Sequence, residues 1–104
     1  MTPDAVHFYW RPGCPFCSML RRGLDGAGIV TVDHDIWADD DDAATVRSYA
    51  RGNETVPTVV IGDVGMVNPS IGQVVQHLEA AAPHLLPEGH EPAEPGVLGR
   101  LFGR

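Results

Sequence analysis

Short apolar runs and amphipathic stripes alternate along the first third of the chain. Residues 6–10, Val-His-Phe-Tyr-Trp, form an apolar and aromatic run that ends at the Pro12-Gly13 pair, which is typical of a buried strand opening onto a loop. Pro15 is well tolerated in a first helical turn, and glycines further on end the helical pattern. The β-branched segment 29–36 predicts a second strand and completes a βαβ unit. The buried face of the intervening helix is predicted to contain Met19, Leu20 and Leu24.

An acidic run, Asp39 to Asp42, precedes the helix-compatible segment 43–50. Carboxylates in this position interact favourably with the exposed N–H groups and the positive dipole end of a helix. A calcium loop would instead need ligands at alternate positions together with a turn glycine. The acidic run therefore predicts the start of a second helix.

The next segments predict a β-hairpin and a last helix. Residues 58–61 are the most strand-like part of the chain, and residues 62–65, Gly-Asp-Val-Gly, predict a hairpin turn into a short strand through residues 66–67. Ser70 and Gln73 form a capping-box pattern at the start of a helix. The buried stripe of that helix, which should end before Pro83, is predicted to contain Ile71, Val74, Val75, Leu78 and Ala82.

The length of 104 residues fits one compact domain. Residues 1–82 carry the predicted elements and form that domain. Residues 83–104 contain short segments punctuated by proline and glycine, with no period long enough for a packed element, so we expect a mobile C-terminal tail. Its last residues, 97–104, fit either a docking peptide or a frayed end.

Charge and hydropathy limit the partners. Fourteen acidic residues stand against seven arginines and no lysine, which gives a formal net charge of −7. This excess of carboxylates disfavours nucleic acid, whose binding requires many phosphates to be neutralised. No apolar run approaches the roughly 20 residues that span a bilayer, and residues 1–4 lack the layout of a signal peptide. We expect a cytoplasmic monomer without a nucleic acid or membrane partner.

The two cysteines, Cys14 and Cys17, are three residues apart at the start of the first predicted helix. In a reducing cytosol such a pair is more typical of a catalytic or metal site than of a structural disulfide. Backbone N–H groups and the helix dipole favour the thiolate of the cysteine at the exposed helix start. Cys14 is therefore the predicted nucleophile, Cys17 the resolving thiol, and Arg11 a possible source of positive charge.

A zinc site and a hydrolase dyad are the alternatives for this pair. Zinc generally takes four ligands, and the sequence has no second C-x-x-C and no paired histidines at finger spacing. A Cys-His dyad would need a histidine beside Cys14, which nothing in the sequence indicates. We expect redox chemistry and no bound metal. The histidines, none of which is a predicted ligand, are His7, His34, His77, His84 and His90.

The segment 8–17, Phe-Tyr-Trp-Arg-Pro-Gly-Cys-Pro-Phe-Cys, followed later by Thr55-Val56-Pro57 and a strand, resembles the glutaredoxin family within the thioredoxin fold. The resemblance covers about residues 5–82. It implies an α/β protein with a four-stranded mixed sheet and three flanking helices.

The resemblance also implies a role for each motif residue. Cys14 would be the attacking thiol, Cys17 the resolving thiol, and Arg11 the counterpart of the basic residue that meets thiol carboxylates. Pro57 is expected to be cis, which would lay the Val56 backbone beside the active site for strand-like pairing with a substrate. The substrate-binding residues implied by these motifs are Arg11, Pro15, Phe16, Val56 and Pro57.

Residues 66–70, Met-Val-Asn-Pro-Ser, depart from the Gly-Gly-x-Asp with which glutathione-using members hold the γ-glutamyl end. This stretch resembles the mycoredoxin branch, whose members reduce mixed disulfides with mycothiol, a sugar-containing thiol without γ-glutamate. Asn68 and Ser70 would then contact a hydroxyl-rich ligand, and local capping of the last helix is an alternative role for Ser70. The implied reducing co-substrate is mycothiol, with no bound cofactor, and the implied partners are mycothiolated or disulfide-bearing proteins.

The main hypothesis is a thiol–disulfide oxidoreductase that reduces mycothiol–protein mixed disulfides through Cys14. The nearest alternative is a dithiol electron donor that thioredoxin reductase serves directly. An iron–sulfur carrier, with Cys14 from two chains and two free thiols around a cluster, is a non-enzymatic alternative. A redox-responsive binding module is another.

Overall fold

A computed structural model describes residues 3–90 of the chain. Helices and strands alternate at first, and a hairpin and a last helix follow. The elements are β1 (Val6–Trp10), α1 (Pro15–Gly26), β2 (Thr31–Asp35), α2 (Asp40–Tyr49), β3 (Thr58–Ile61), β4 (Val64–Val67) and α3 (Ile71–Ala81). Among the helices of this described part, none has the length and apolar character that a membrane crossing requires.

The four strands form one mixed sheet in the order β2-β1-β3-β4. β1 pairs with β2 in parallel, while β3 pairs antiparallel with both β1 and β4. The predicted four-stranded mixed sheet with three helices is confirmed.

The strand directions bring four chain segments to one edge of the sheet. β1 and β2 end at this edge, β3 begins there, and β4 ends there, because Tyr9 pairs with Thr58 and Thr58 pairs with Val67. The segment that follows β1 contains both cysteines, and the segment that precedes β3 contains Pro57. The sheet topology therefore places three segments at the same edge: the C-x-x-C segment, the loop before β3 that contains Val56 and Pro57, which we call the proline loop, and the start of α3.

The sheet is covered on both faces. On one face, α1 and α3 bury their apolar stripes against Val6, Phe8, Val59 and Ile61. On the other face, α2 packs Ala43 and Val46 against Tyr9 and Val60. All four residues of β3 are buried, as expected for a central strand covered by helices on both sides.

Three element boundaries or faces differ from the sequence predictions. Met19 is 58% exposed, and the buried stripe of α1 is Cys17, Leu20 and Leu24, because positions three and four apart share a helical face. β2 begins at Thr31 rather than residue 29. β4 begins at Val64, which pairs with Ile61, so the hairpin turn contains only residues 62 and 63.

The segment after α3 packs against the domain. Pro83–Leu85 form a short 3₁₀ helix, and Leu85 and Leu86 are partly buried against the core formed by α1, α3 and the sheet. The expectation of no packed element after residue 82 is therefore wrong for residues 83–85, because two consecutive leucines provide an apolar contact without any helical period. Of the rest of the predicted tail, residues 86–90 are described, and His90 contacts Glu79 of α3 at 2.8 Å. Residues 91–104 lie outside the described residues.

Gly23 controls the approach of α3 to α1. A Cβ atom at Gly23 would lie 2.9 Å from the Cβ of Ile71, the first residue of α3, whereas a Cβ at Gly26 would have no heavy atom within 4 Å. We expect Gly23→Ala to be about 1–3 kcal/mol less stable than Gly26→Ala, because only the first substitution overpacks the helix contact. The gain in helix propensity is at least as large at Gly23, inside α1, as at Gly26, its last residue, so propensity does not produce the expected loss at Gly23.

Urea unfolding of the two variants measures that difference. Equal free energies of unfolding for Gly23→Ala and Gly26→Ala would contradict the close approach of α1 and α3.

Candidate active site

Cys14 is the N-cap residue of α1. Gly13 has a φ of 73°, a left-handed conformation that suits glycine, and it turns the chain from β1 into the helix. The backbone N–H of Cys17 donates a hydrogen bond to the Sγ atom of Cys14 at 3.2 Å. A sulfur atom thus occupies the position of a capping oxygen, at the positive end of the helix dipole.

The two cysteines form a disulfide, with their Cα atoms 5.2 Å apart, so the structure describes the oxidised form. Cys14 is only 6% exposed and Cys17 is 4% exposed. The prediction of an exposed sulfur at the helix start is therefore wrong for this form. The reason is tertiary: the loop before β3 lies over the disulfide and places the Val56 carbonyl oxygen 3.8 Å from the Cys14 Sγ.

The peptide bond between Val56 and Pro57 is cis, as the family resemblance implied. The backbone of this loop lies beside Cys14. The Pro57 carbonyl oxygen also accepts a hydrogen bond from the N–H of Asn68 at 2.7 Å. The proline loop is therefore tied to the segment that leads into α3.

Arg11 lies at the same edge and contacts an aromatic ring that the sequence predictions did not include. Its guanidinium carbon is 5.4 Å from the centroid of the Trp37 ring, and one guanidinium nitrogen donates to the Pro12 carbonyl oxygen at 3.1 Å. Trp37 is 65% exposed and follows β2. The parallel pairing of β1 and β2 could have indicated this neighbour, because both strands end at the same edge.

A depression of about 430 Å³, which we call the β1–α1 cleft, adjoins the disulfide on the β2 side of α1. Both cysteines contribute to its wall. Ser18 and Arg21 lie four and seven residues after Cys14, so helical spacing could have indicated that they share its face. The residues that line the cleft are Phe8, Trp10, Arg11, Gly13, Cys14, Pro15, Cys17, Ser18 and Arg21.

An ion pair holds Arg21 at the β1–α1 cleft. Its guanidinium lies 3.0 Å from the Asp33 carboxylate and stacks above the Phe8 ring, 4.6 Å from the ring centroid. Partial burial of Asp33 opposes its ionisation, but the hydrogen bond from Thr31 and the interaction with Arg21 outweigh this and lower the pKa of the Asp33 carboxyl. Asp33 is therefore charged and paired at neutral pH.

A second, smaller depression of about 240 Å³ lies between the starts of α1 and α3, and we call it the α1–α3 groove. Phe16 is 62% exposed and contributes to its wall, as does Met19. Asn68 and Ser70 both line it, as their predicted role requires. The full set of lining residues is Phe16, Met19, Leu20, Asn68, Pro69, Ser70 and Ile71.

Asn68 and Ser70 also have structural roles. Asn68 has a φ of 50°, a left-handed conformation that asparagine tolerates better than most residues with a Cβ atom. The Ser70 hydroxyl accepts a hydrogen bond from the Gln73 N–H, and the Gln73 side chain accepts one from the Ser70 N–H, so the predicted capping box is confirmed. Contact of either residue with a substrate stays a prediction.

Two of the histidines contact each other on the face of the sheet that α2 covers, opposite α1 and α3. His7 Nδ1 and His34 Nε2 are 2.9 Å apart, and His34 Nδ1 lies 3.2 Å from the Asp42 carboxylate. Pairing of β1 with β2 produces this contact, which residue spacing alone does not reveal. Between residues 3 and 90, no group of three or more His, Cys, Asp or Glu side chains could hold a metal ion.

A C-x-x-C disulfide at a helix N-terminus, facing a cis-proline loop across the edge of a mixed sheet, defines a thiol–disulfide exchange site of the thioredoxin fold. The glutaredoxin family model matches residues 6–66. The chain belongs to the glutaredoxin family and is a glutaredoxin-type thiol–disulfide oxidoreductase.

Comparison with known proteins supports the mycoredoxin-like branch. The chain is 36% identical to Mycoredoxin 1 of Corynebacterium glutamicum over 78 residues, which are 74% of this chain and 96% of that protein. The fold is similar to that of the glutaredoxin of Brucella melitensis, with a TM-score of 0.56, 26% identity and coverage of 88% and 98% of the two chains. It is also similar to the glutaredoxin-like NrdH-redoxin of Escherichia coli, with a TM-score of 0.59, 20% identity and coverage of 68% and 91%.

The left-handed backbone of Asn68 leads to a stability prediction. We expect Asn68→Ala to lose about 1 kcal/mol, because alanine disfavours a positive φ. Asn68→Gly should retain the stability of the wild type, because glycine adopts this conformation without a steric cost. Thermal and urea unfolding of both variants measure these effects. A loss in Asn68→Gly as large as in Asn68→Ala would show that the amide side chain, rather than the backbone conformation, stabilises this turn.

Proposed function

We propose that the protein reduces mixed disulfides between mycothiol and protein thiols, with mycothiol as the reducing co-substrate and no bound cofactor. The observation that carries this proposal is the uncharged start of α3. Residues 66–73 include no Asp or Glu, and their polar side chains at the α1–α3 groove are those of Asn68 and Ser70. A γ-glutamyl group carries an ammonium and a carboxylate, so a groove without an acidic partner favours a thiol that lacks this group.

The likeness to Mycoredoxin 1 supports the same proposal, because it extends over almost the whole of that protein. The proposed clients are mycothiolated proteins and other disulfide-bearing proteins. We also propose that the protein acts as a monomer in the cytoplasm.

The first exchange step depends on the N-cap position of Cys14. In the reduced protein, the N–H of Cys17 and the α1 dipole stabilise a thiolate at the Cys14 Sγ. This thiolate attacks the mycothiol sulfur of a protein–mycothiol disulfide. A disulfide forms between Cys14 and mycothiol, the original disulfide breaks, and the client leaves as a thiolate that takes a proton from solvent.

A second mycothiol thiolate then attacks the mycothiol sulfur bound to Cys14. Mycothiol disulfide leaves, and the Cys14 thiolate is restored without Cys17. In the alternative dithiol route, Cys17 attacks the Cys14 sulfur and expels mycothiol, which forms the Cys14–Cys17 disulfide. The position of Cys17 within bonding reach of Cys14 supports this route, and the same attack would complete the reduction of a protein disulfide.

Other residues of the site bind and orient the substrate in this proposal. The Val56 backbone pairs with the extended backbone of the cysteine moiety beside the disulfide. Pro15 and Phe16 contact the substrate from the first turn of α1, and Pro57 holds the Val56 segment in place. Arg11, which lines the β1–α1 cleft together with Cys14, donates hydrogen bonds to the substrate.

The test compares the reduction of one client protein carrying either mycothiol or glutathione, with matched reducing thiols and reductases. We expect the wild type to prefer the mycothiol adduct by about tenfold or more in kcat/KM, which corresponds to about 1.4 kcal/mol. Cys17→Ser should keep both the activity and the preference, because the monothiol cycle needs only Cys14. Cys14→Ser should be inactive.

Equal rates with both adducts would contradict the proposed specificity for mycothiol. Turnover that requires thioredoxin reductase and no small thiol would instead indicate the electron-donor function. Retained activity in Cys14→Ser would contradict the assignment of the nucleophile.

A further inference from the structure

The proposal above uses only the part of the β1–α1 cleft next to the cysteines, and it assigns no ligand group to Ser18, Arg21 or Trp10, which also line this cleft. Its volume of about 430 Å³ lies within the range of about 300–1000 Å³ typical of small-molecule sites. The α1–α3 groove, at about 240 Å³, is smaller than this range. Of these two depressions, the β1–α1 cleft is therefore the larger, and it is the one that both cysteines line.

The polar groups at the Arg21 end of the cleft fit hydroxyl groups better than an anion. Arg21 is already paired with Asp33 at 3.0 Å, so a carboxylate ligand would compete with Asp33 for the same guanidinium. Arg21 offers hydrogen-bond donors to the cleft, and its pairing with Asp33 leaves little net charge there. Sugar hydroxyls both donate and accept hydrogen bonds. The Ser18 hydroxyl is a second polar group of this part of the cleft wall. It donates to the Cys14 carbonyl oxygen at 3.4 Å, and its oxygen can still accept a hydrogen bond from a ligand.

The Arg11 end combines a donor with aromatic surface. Trp10 lines the cleft, and the exposed Trp37 ring lies on the far side of the Arg11 guanidinium. Arg11 donates to the Pro12 carbonyl oxygen at 3.1 Å, and its remaining N–H groups can donate to a ligand. Aromatic faces next to hydrogen-bonding groups suit the apolar faces and hydroxyl edges of a saturated, hydroxylated ring.

We propose that the β1–α1 cleft binds the sugar and cyclitol rings of mycothiol while the mycothiol sulfur is joined to Cys14. Arg21 and Ser18, which line the cleft, bind ring hydroxyls, and Asp33 holds the Arg21 guanidinium in position. The compact N-acetylcysteine part lies along the Val56 backbone. This inference rests on the proposed function. It assigns ligand recognition to residues outside the C-x-x-C and cis-proline motifs.

The first test uses one client protein with either mycothiol or N-acetylcysteine attached through a disulfide. The two adducts share the reacting atoms, and only the first has the rings. We expect the wild type to prefer the mycothiol adduct, and we expect Arg21→Gln to lower the ratio of the two kcat/KM values about tenfold, mainly through KM. Arg22→Gln is the matched control, because Arg22 is the next residue on α1 and does not line the cleft. It should retain the wild-type ratio.

The outcomes separate this inference from the proposed function. A wild type that prefers mycothiol over glutathione adducts, combined with an unchanged ratio in Arg21→Gln, would overturn the cleft assignment and leave the proposed function intact. If Asn68→Gly lowers the ratio of the two kcat/KM values and Arg21→Gln does not, the rings bind in the α1–α3 groove. A wild type with no preference for mycothiol over either comparison thiol would overturn both proposals.

A second test does not depend on Arg21 or on turnover. The chain has two tryptophans. Trp10 lines the proposed ring site, and Trp37 contacts Arg11, which lines it. In Cys17→Ser, Cys14 can be loaded chemically with either mycothiol or N-acetylcysteine, and the covalent link supplies a high effective concentration of the rings. We expect the tryptophan emission of the two adducts to differ. Identical spectra would overturn the inference.

Discussion

The hydrogen bond from the Cys17 N–H to the Cys14 sulfur is the interaction on which the rest of the site depends, because it fixes this sulfur at the N-terminus of α1. It exists because α1 begins directly after β1, with Gly13 turning the chain and Pro15 occupying the first turn without loss of a helical hydrogen bond. The sulfur that we propose as the nucleophile therefore lies at the N-terminus of a helix, where the helix dipole favours negative charge. Because α1 is anchored by Leu20 and Leu24 in the core, this geometry is a property of the whole domain.

The sheet edge supplies the remaining parts of the site from segments distant in sequence. Antiparallel pairing of β3 with β1 places the cis-proline loop over the disulfide, and pairing of β4 with β3 returns the chain to the start of α3. The Asn68 N–H then donates a hydrogen bond to the Pro57 carbonyl oxygen, which ties the loop to the segment that leads into α3. The α1–α3 groove lies between the starts of α1 and α3, and the β1–α1 cleft, which both cysteines line, lies between α1 and the end of β1.

Much of this arrangement could be predicted from the sequence because local signals were strong. The aromatic run of β1, the C-x-x-C pair after a proline and glycine, and the Ser70–Gln73 capping box each correspond to an observed element. The misses have tertiary causes. Met19 has the hydrophobicity of a core residue but lies on the exposed side of α1, and Leu85 and Leu86 are partly buried through contacts that no period indicates. The contact of Arg21 with Asp33 depends on helix-to-strand packing, and the contact of Arg11 with Trp37 depends on strand pairing.

The central claim is that the start of α1 makes Cys14, and not its equally buried neighbour, the reactive thiol. Limited alkylation of the fully reduced protein at neutral pH, followed by mass spectrometry of the peptide that contains both cysteines, tests this directly. The account predicts that the alkylating agent modifies Cys14 well before Cys17, because the thiolate is the reactive form and the helix N-terminus stabilises it at Cys14. Modification of Cys17 first, or of both thiols at the same rate, would contradict it.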